Sequence, residues 1–229
     1  MQLVTFFIKQ RQRLLLLVLQ HLGIVGLSLG VSFIFALTVG YLLTKNKLAS
    51  TVAVGFFSAL YSIPSIALFA LLLPMSGLGL RTAVIVISIY AQLILLRSVI
   101  AGFKSIDEAI IETSLGLGLS PGEILFRIQL PLAAPVILSG VRLASVSAIG
   151  IGTIAASINS GGIGALLFEG IRNLYPEKII WGIILSSSLC FGANQLFGKL
   201  ERLFAKRARG EIVRRKDKNA PEAAYDAAL

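Results

Sequence analysis

Five long apolar stretches, separated by short polar segments, make up most of the chain. Each is longer than the roughly 18 apolar residues that indicate a membrane-spanning helix. They cover approximately residues 21–44, 49–74, 81–103, 135–157 and 179–200. The pattern therefore predicts an all-α polytopic membrane protein with about five transmembrane helices.

The second apolar stretch contains a proline near its middle, which predicts a break in the helix. Pro64 has no backbone N–H, so it removes one hydrogen bond from a helix that runs through it. Residues 49–74 would then form a kinked helix or two half-helices, and the number of spans rises to six if each half crosses separately. Broken helices expose backbone groups along substrate paths, although a simple packing kink is an equal alternative.

A polar loop interrupts the apolar pattern in the middle of the chain, and we expect it to cover residues 104–134. Ser120 suits an N-cap, and Glu123 three residues later completes the capping-box pattern. The loop is therefore predicted to form a short helix, a turn and a second amphipathic helix that ends at Leu130 and Pro131.

The second helix of this loop has apolar residues at helical spacing. Ile124, Leu125 and Ile128 fall on one face of it. We expect this face to be exposed, together with Glu112 of the first helix, so that the loop can bind in a groove on a soluble partner. The alternative is an ordinary loop on the membrane surface.

Residues 158–178 lie between the fourth and fifth apolar stretches and predict a re-entrant or surface segment. Asn159, Gly161 and Gly162 at its start favour a tight turn. We interpret this turn as part of an external gate or a re-entrant turn, with a merely flexible turn as the alternative. His21, the only histidine, lies at the edge of the first stretch and is expected at the membrane interface.

The two ends of the chain differ from its apolar middle. Residues 1–20 mix basic and apolar side chains and are predicted to form an amphipathic N-terminal segment. Residues 21–200 form the membrane domain. Residues 201–229 form a basic cytoplasmic tail that is expected to be disordered.

Charge is scarce and unevenly placed. Only 14% of the residues are charged, against about 25% in soluble proteins, and the net charge is +10. Nine of the 21 basic residues lie between Lys199 and Lys218, directly after the last apolar stretch. Basic residues in this position typically mark the cytoplasmic side of a membrane span, so they argue against a nucleic-acid partner. They could also contact anionic membrane lipid.

The basic residues also predict the orientation of the chain. With five spans, Lys45, Lys104 and Arg127 lie on the cytoplasmic side together with the tail, and the N-terminus lies outside. The basic residues of segment 1–20 oppose this orientation. They would fit the cytoplasmic side only if the second stretch were two spans.

The sequence contains no catalytic constellation. It has no phosphate-binding P-loop, no H-E-x-x-H or G-x-S-x-G motif and no cysteine–histidine metal set. Cys190 is the only cysteine, so no internal disulfide can form. These absences predict that the chain is not an enzyme, holds no metal or cofactor itself and cannot hydrolyse ATP.

The spacing within the polar loop resembles the cytoplasmic signature of ATP-binding-cassette importer permeases. That signature is E-A-A, three residues, Gly, nine residues, then I-x-L-P. Thr113 and Ser114 replace its two alanines. Both replacements are small, but they put in question how tightly this helix packs against a partner. The positions that match are Glu112, Gly118, Ile128, Leu130 and Pro131.

Three further stretches resemble osmoprotectant permeases, which carry glycine betaine, choline, carnitine or proline betaine. They are residues 62–79, 130–156 and 153–171, and the whole resemblance covers about residues 20–200. Methionine and phosphonate permeases share the fold and the loop and are the alternative within the class. A membrane scaffold or enzyme with an amphipathic cytoplasmic loop is the hypothesis from a different class.

This resemblance implies the transmembrane domain of a type I importer in a bacterial cytoplasmic (inner) membrane, working by alternating access. It implies a pair of ATPase subunits that bind ATP and Mg, and an extracytoplasmic binding protein that docks near residues 158–178. It also implies a second permease subunit, expected to be another copy of this chain, with a similar permease as the alternative. Coupling to the ATPase would fall to Glu112, Gly118, Ile128, Leu130 and Pro131.

The resemblance also implies that some residues line a substrate path. A quaternary ammonium group favours aromatic faces, so Tyr61, Tyr90, Phe57 and Trp181 are candidates, although aromatic side chains in membrane helices usually pack or lie at the interface. The residues assigned to the path or its gate are Tyr61, Pro64, Tyr90, Asn159, Gly161 and Gly162.

Overall fold

The fold consists of helices joined by short turns. A computed structural model describes residues 2–208 of the chain. The α-helices within that part are, in order, α1 (Gln2–Thr44), α2 (Lys47–Tyr61), α3 (Ser65–Ser76), α4 (Leu80–Lys104), α5 (Glu108–Gly116), α6 (Pro121–Ile124), α7 (Leu130–Ala155), α8 (Ile163–Arg172) and α9 (Pro176–Ala208). A π-helical turn, Leu125–Gln129, joins α6 to α7, and a 3-10 turn, Ala156–Ile158, follows α7.

Within residues 2–208, four helical units are long and apolar enough to cross a membrane: α1, α4, the unit from α6 through α7, and α9. The helices α2 and α3 pass the same test as a pair, bent by 95° at the break that contains Pro64. Counting the pair as one broken span gives five spans. The predicted all-α polytopic fold and the predicted break at Pro64 are therefore confirmed.

Helix α4 lies at the centre of the bundle. More than half of its residues are buried, and it packs against both α1 and α7. The contact with α7 is close because Gly140 has no side chain: a Cβ at that position would lie 2.0 Å from the Ser98 Oγ. Small residues of this kind let membrane helices approach closely enough for van der Waals packing to hold them together.

Helices α1 and α4 run in the same direction, and α7 runs against them. Ser32 on α1 donates a hydrogen bond to the Ser88 carbonyl on α4 at 3.1 Å, and further along both helices the rings of Tyr41 and Phe103 lie 5.1 Å apart. We call the end where α1 and α4 finish, and where loop 104–134 lies, the loop end. The opposite end, where α4 begins, is the far end.

The second helix of the polar loop does not end at Leu130 and Pro131, so that prediction is wrong. It continues through the π-helical turn into α7, and the Leu130 N–H donates to the Leu125 carbonyl, five residues back. A π-helical turn is wider than an α-helical one, which accommodates Pro131, since a proline ring otherwise crowds the preceding turn. The fourth span therefore begins before the expected residue 135 and is continuous with the loop.

Two helices also extend further than the apolar pattern indicates. Helix α1 is continuous from Gln2 to Thr44, so residues 1–20 are not a separate helix. Helix α9 continues to Ala208, so the tail is helical at its start and not disordered there as expected; residues 209–229 lie outside the described residues. The division of the chain at residues 20 and 200 stays a prediction.

Candidate functional site

The polar loop at the loop end forms two short, capped helices. Helix α5 begins after Asp107, whose carboxylate accepts a hydrogen bond from the Ala109 N–H at 2.9 Å. At the start of α6 the Ser120 Oγ accepts from the Glu123 N–H at 3.4 Å, and the Glu123 carboxylate accepts from the Ser120 N–H at 3.1 Å. The capping box predicted from the sequence is therefore confirmed.

Gly118 forms the turn between these two helices. Its φ is +82°, a left-handed conformation that only glycine adopts readily. The Gly118 N–H donates to the Leu115 carbonyl at 2.9 Å and the Leu119 N–H to the Ser114 carbonyl at 3.2 Å, which satisfies carbonyls at the end of α5. A Cβ at position 118 would meet nothing within 4 Å, so the backbone alone constrains this position.

The two polar residues that replace alanines of the signature find partners inside α5. The Ser114 hydroxyl is buried and donates to the Ile110 carbonyl at 2.6 Å. The Thr113 hydroxyl donates to the Ala109 carbonyl at 2.7 Å. Because a buried hydroxyl is costly mainly when it has no partner, the Ser114 hydroxyl adds little cost at its buried position.

The apolar face expected to be exposed on this loop faces the protein instead. Ile124 is only 3% exposed, and Leu125 and Ile128 are half-buried. Helical spacing identifies a face but does not say which side of the helix the rest of the bundle covers. The apolar side chains that are exposed in the loop are Ile110, Leu115, Leu117 and Phe126.

The five residues predicted to couple to an ATPase do not form one patch. Glu112 is exposed on α5 and forms no salt bridge within the described residues. Ile128, Leu130 and Pro131 line a groove of about 520 Å³ whose other wall includes Phe204 near the end of α9. Their roles in coupling stay predictions.

At the far end, a tight turn follows α7 and covers part of α1. Asn159 has a φ of 61°, and Gly161 and Gly162 have φ of 82° and 78°. The Gly162 N–H donates to the Gln20 Oε1 at 3.3 Å. A Cβ on Gly162 would lie 2.9 Å from the Nδ1 of His21, so glycine is required here by both conformation and space. A role of this turn as a gate stays a prediction.

His21 is fully buried within the bundle, beside the far-end turn, and its position at the membrane interface stays a prediction. Its Nε2 lies 3.2 Å from the Ile149 carbonyl oxygen. The ring fits because Gly152 and Gly162, on α7 and on the turn, leave space on two sides of it. Both glycines are far from His21 in sequence, so no local pattern indicates this burial.

The break in the second span brings together three of the residues assigned to the substrate path. The rings of Tyr61 and Tyr90 meet edge to face with centroids 5.4 Å apart. The Tyr90 hydroxyl donates a hydrogen bond to the Ile63 carbonyl, which lies beside Pro64 and outside both α2 and α3. The other three assigned residues lie in the far-end turn, so the six form two separate groups.

The remaining aromatic candidates have packing partners of their own. The rings of Phe57 and Phe35 meet edge to face with centroids 6.5 Å apart. Trp181 stacks on Phe7 at 4.8 Å, and its indole N–H donates to the Leu3 carbonyl at 3.0 Å. Trp181 therefore joins α9 to the start of α1, away from the break in the second span.

The hydroxyl of Tyr90 is expected to stabilise the break. Tyr90→Phe keeps the ring but removes the hydrogen bond to the part-buried Ile63 carbonyl, a loss of about 0.5–1.5 kcal/mol. Tyr61→Phe is the matched control, because the Tyr61 ring is 39% exposed. We expect the first variant to lower the melting temperature of the purified protein and the second to leave it unchanged. Equal shifts would contradict a special role of the Tyr90 hydroxyl.

A charged cluster joins α1, α8 and α9 at the far end. Glu169 accepts a hydrogen bond from Arg13 and forms a salt bridge with Lys178 at 3.0 Å. Burial alone would raise the pKa of Glu169, but the hydrogen bonds from Lys178 and Arg13 outweigh it and hold the pKa below its ordinary value. Glu169 is therefore ionised at neutral pH and links the three helices.

Glu169→Gln is expected to lower the melting temperature at neutral pH, because two cations lose their partner. A carboxyl group whose pKa is lowered by folding stabilises the fold above its unfolded pKa of about 4.3. That contribution is lost as the pH falls through the lower, folded value. The difference in melting temperature between wild type and variant should therefore be full at neutral pH and shrink below about pH 4. A difference that does not change with pH would exclude this pairing.

A comparison with protein families finds a match over most of the chain. Residues 32–206 match the family described as binding-protein-dependent transport system inner membrane component. The matched range includes the polar loop, the break at Pro64 and the far-end turn.

Two curated relatives are similar over most of their own length as well. The carnitine transport permease protein OpuCB of Listeria monocytogenes is 33% identical over 199 residues, which cover 87% of this chain and 91% of the relative. The osmoprotectant import permease protein OsmW of Salmonella typhimurium is 33% identical over 190 residues, which cover 81% of this chain and 88% of the relative.

A solved structure of the MetNI methionine ABC transporter, in an inward-facing conformation, contains a chain with a similar fold. The TM-score is 0.73 at 22% sequence identity, and the similarity covers 83% of this chain and 95% of that chain. This likeness concerns the fold alone. It confirms the predicted transmembrane architecture of a type I importer.

Proposed function

Because this chain belongs to the family of binding-protein-dependent transport system inner membrane components, we propose that it is the permease subunit of an ATP-driven importer for osmoprotectants such as glycine betaine, choline or carnitine. The names of the two relatives, one for carnitine transport and one for osmoprotectant import, support this substrate class. The methionine transporter, at 22% identity, supports only the fold.

The observation that carries the proposal is the form of the polar loop. Two capped helices joined at Gly118 present the Glu112 carboxylate, which forms no salt bridge within residues 2–208, together with exposed apolar side chains. We propose that these exposed apolar side chains form the contact surface for the soluble partner. The loop continues directly into α7, so a partner that moves the loop also moves a membrane span.

The partner at the loop is proposed to be a pair of ATPase subunits, which bind ATP and Mg. This chain contributes no P-loop to the reaction. Hydrolysis therefore belongs to a separate subunit, and this chain is a transporter component and not an enzyme.

The proposed orientation rests on the basic residues at the loop end and goes against those of residues 1–20, of which Arg13 lies at the far end. Lys45, Lys104 and Arg127 lie there, and basic residues favour the cytoplasmic side of a bacterial inner membrane. The far end, with α8 and the turn of residues 159–162, then faces outward, where an extracytoplasmic binding protein delivers the substrate.

A second permease subunit, most simply another copy of this chain, is proposed to complete the path. Large apolar side chains along α1 and α9 are exposed in the single chain, among them Leu27, Ile34, Ile183 and Phe191. Membrane lipid covers part of such a surface, and a second bundle of helices would cover the rest.

The proposed cycle is alternating access. A loaded binding protein docks at the far end, ATP binding draws the two ATPases together, and their movement passes through residues 107–131 into the spans. The substrate passes the break formed by Tyr61, Pro64 and Tyr90, while the turn of residues 159–162 opens and closes the far end.

The test is uptake of labelled glycine betaine, choline and carnitine, beside methionine, in cells with and without the gene, at low and high osmolarity. Deletion is expected to abolish uptake of the quaternary amines and to leave methionine uptake unchanged. The opposite result would keep the fold and the coupling loop but refute the substrate class.

A further inference from the structure

Gln92 is an unpaired polar side chain at the centre of the bundle. It is the middle residue of α4 and only 5% exposed, and its amide nitrogen has no hydrogen-bond partner within the described residues. An unpaired buried amide costs about 1–3 kcal/mol, and polar side chains inside a membrane typically mark a functional path. The Gln92 amide therefore has a donor without an acceptor, and another molecule can supply that acceptor.

Gln92 lines a groove of about 210 Å³ that is formed by α1, α2 and α4. Two aromatic rings, Phe35 and Phe57, border the groove and pack edge to face. Ser32 and Ser88 also line it, but both hydroxyls already donate to carbonyls of the neighbouring helix. Among the polar side chains that line the groove, Gln92 is therefore the one whose donor lacks a partner within residues 2–208, although its amide nitrogen is itself covered.

The groove lies along the proposed substrate path. Phe57 and Tyr61 are four residues apart on α2 and share one face of that helix, and Tyr61 contacts Tyr90 at the break. The groove is thus one helical turn from the break, on its loop-end side. It is smaller than the roughly 300–1,000 Å³ of a complete ligand pocket, so movement of α2 or a second subunit has to complete it.

We propose that Gln92, Phe35 and Phe57 form a subsite for substrates that combine a quaternary ammonium group with a carboxylate. The aromatic faces attract the cation, and the Gln92 amide donates a hydrogen bond to the carboxylate. The amide is covered in the present conformation, and movement of α2 during alternating access exposes it. This inference rests on the proposed function and adds the residues that distinguish glycine betaine, a carboxylate, from choline, an alcohol.

The test is transport by the complete importer in proteoliposomes, with the binding protein saturated by either glycine betaine or choline. Gln92→Leu is expected to reduce the rate with glycine betaine about tenfold or more, since it removes a hydrogen bond to a charged group. The rate with choline should fall less, because the choline hydroxyl is a neutral acceptor and a hydrogen bond to a charged carboxylate is roughly twice as strong. Phe57→Leu should reduce both rates, because both substrates carry the ammonium group.

Stability separates this role from a structural one. Gln92→Leu removes an unpaired buried amide, so the melting temperature of the complex should stay the same or rise. Equal losses of both transport rates, or no loss of either, would overturn the subsite. If the wild-type importer carries neither amine, the proposed function fails, and the subsite fails with it.

Discussion

Gly118→Trp is expected to abolish uptake while the amount of protein in the membrane stays at the wild-type level. The φ of +82° at Gly118 costs a residue with a side chain about 1–2 kcal/mol, which distorts the turn between α5 and α6. The indole also adds bulk beside Leu115 and Leu117, which are exposed in the same loop. The bundle itself should be unaffected, because the space around position 118 is empty.

Two alanine variants separate backbone strain from bulk. Gly118→Ala adds only a Cβ in open space, so any loss of uptake reports the strained turn. Gly116→Ala is the matched control: Gly116 is the last residue of α5, has no positive φ and also lies in open space. Uptake is measured with labelled substrate, and protein amount in isolated membranes. Normal uptake by the tryptophan variant would refute the assignment of this loop to coupling.

Gly164→Ala is expected to prevent stable folding of the far end. A Cβ at this position would lie 1.9 Å from the Thr153 carbonyl oxygen and 2.7 Å from the Ala156 Cβ. Neither atom can move by side-chain rotation, so α8 has to separate from α7. Overpacking of this kind typically costs about 1–3 kcal/mol or more, and here it also displaces the turn of residues 159–162.

The control for this second variant is Gly150→Ala. Gly150 lies on α7, and a Cβ there would meet nothing within 4 Å. Alanine also favours a helix by up to about 1 kcal/mol over glycine. The amount in the membrane and the melting temperature should fall sharply for Gly164→Ala and stay unchanged or rise for Gly150→Ala. Two variants with the same stability would exclude the close α7–α8 contact.

Features that depend on residues close together in sequence could be predicted without the structure. The capping box of Ser120 and Glu123 involves hydrogen bonds across three residues, and the break at Pro64 follows from one missing N–H. The membrane spans follow from the length of apolar runs. The loop signature is recognised from the spacing of five residues along the chain. That spacing does not place the five residues on one surface of the folded protein.

Features that depend on contacts between distant helices could not be predicted. Ile124 is buried because α6 folds back against the bundle, and the amphipathic pattern is the same whichever side is covered. His21 is buried because two distant glycines leave room for it. The π-helical turn before Pro131 has no sequence signal that separates it from an α-helix ending at a proline. The isolation of Gln92 likewise appears only once its neighbours on α1 and α2 are in place.

The continuity of α6, the π-helical turn and α7 has a mechanical consequence. From Pro121 to Ile158 the chain forms one helical unit of 38 residues, which at 1.5 Å per residue is a lever about 57 Å long. A tilt of about ten degrees displaces one tip by about 10 Å relative to the other. In the proposed coupling, a nucleotide-driven push at Ser120 would reach residues 159–162 through the helical backbone of this unit, so that the two ends of the path would respond to one movement.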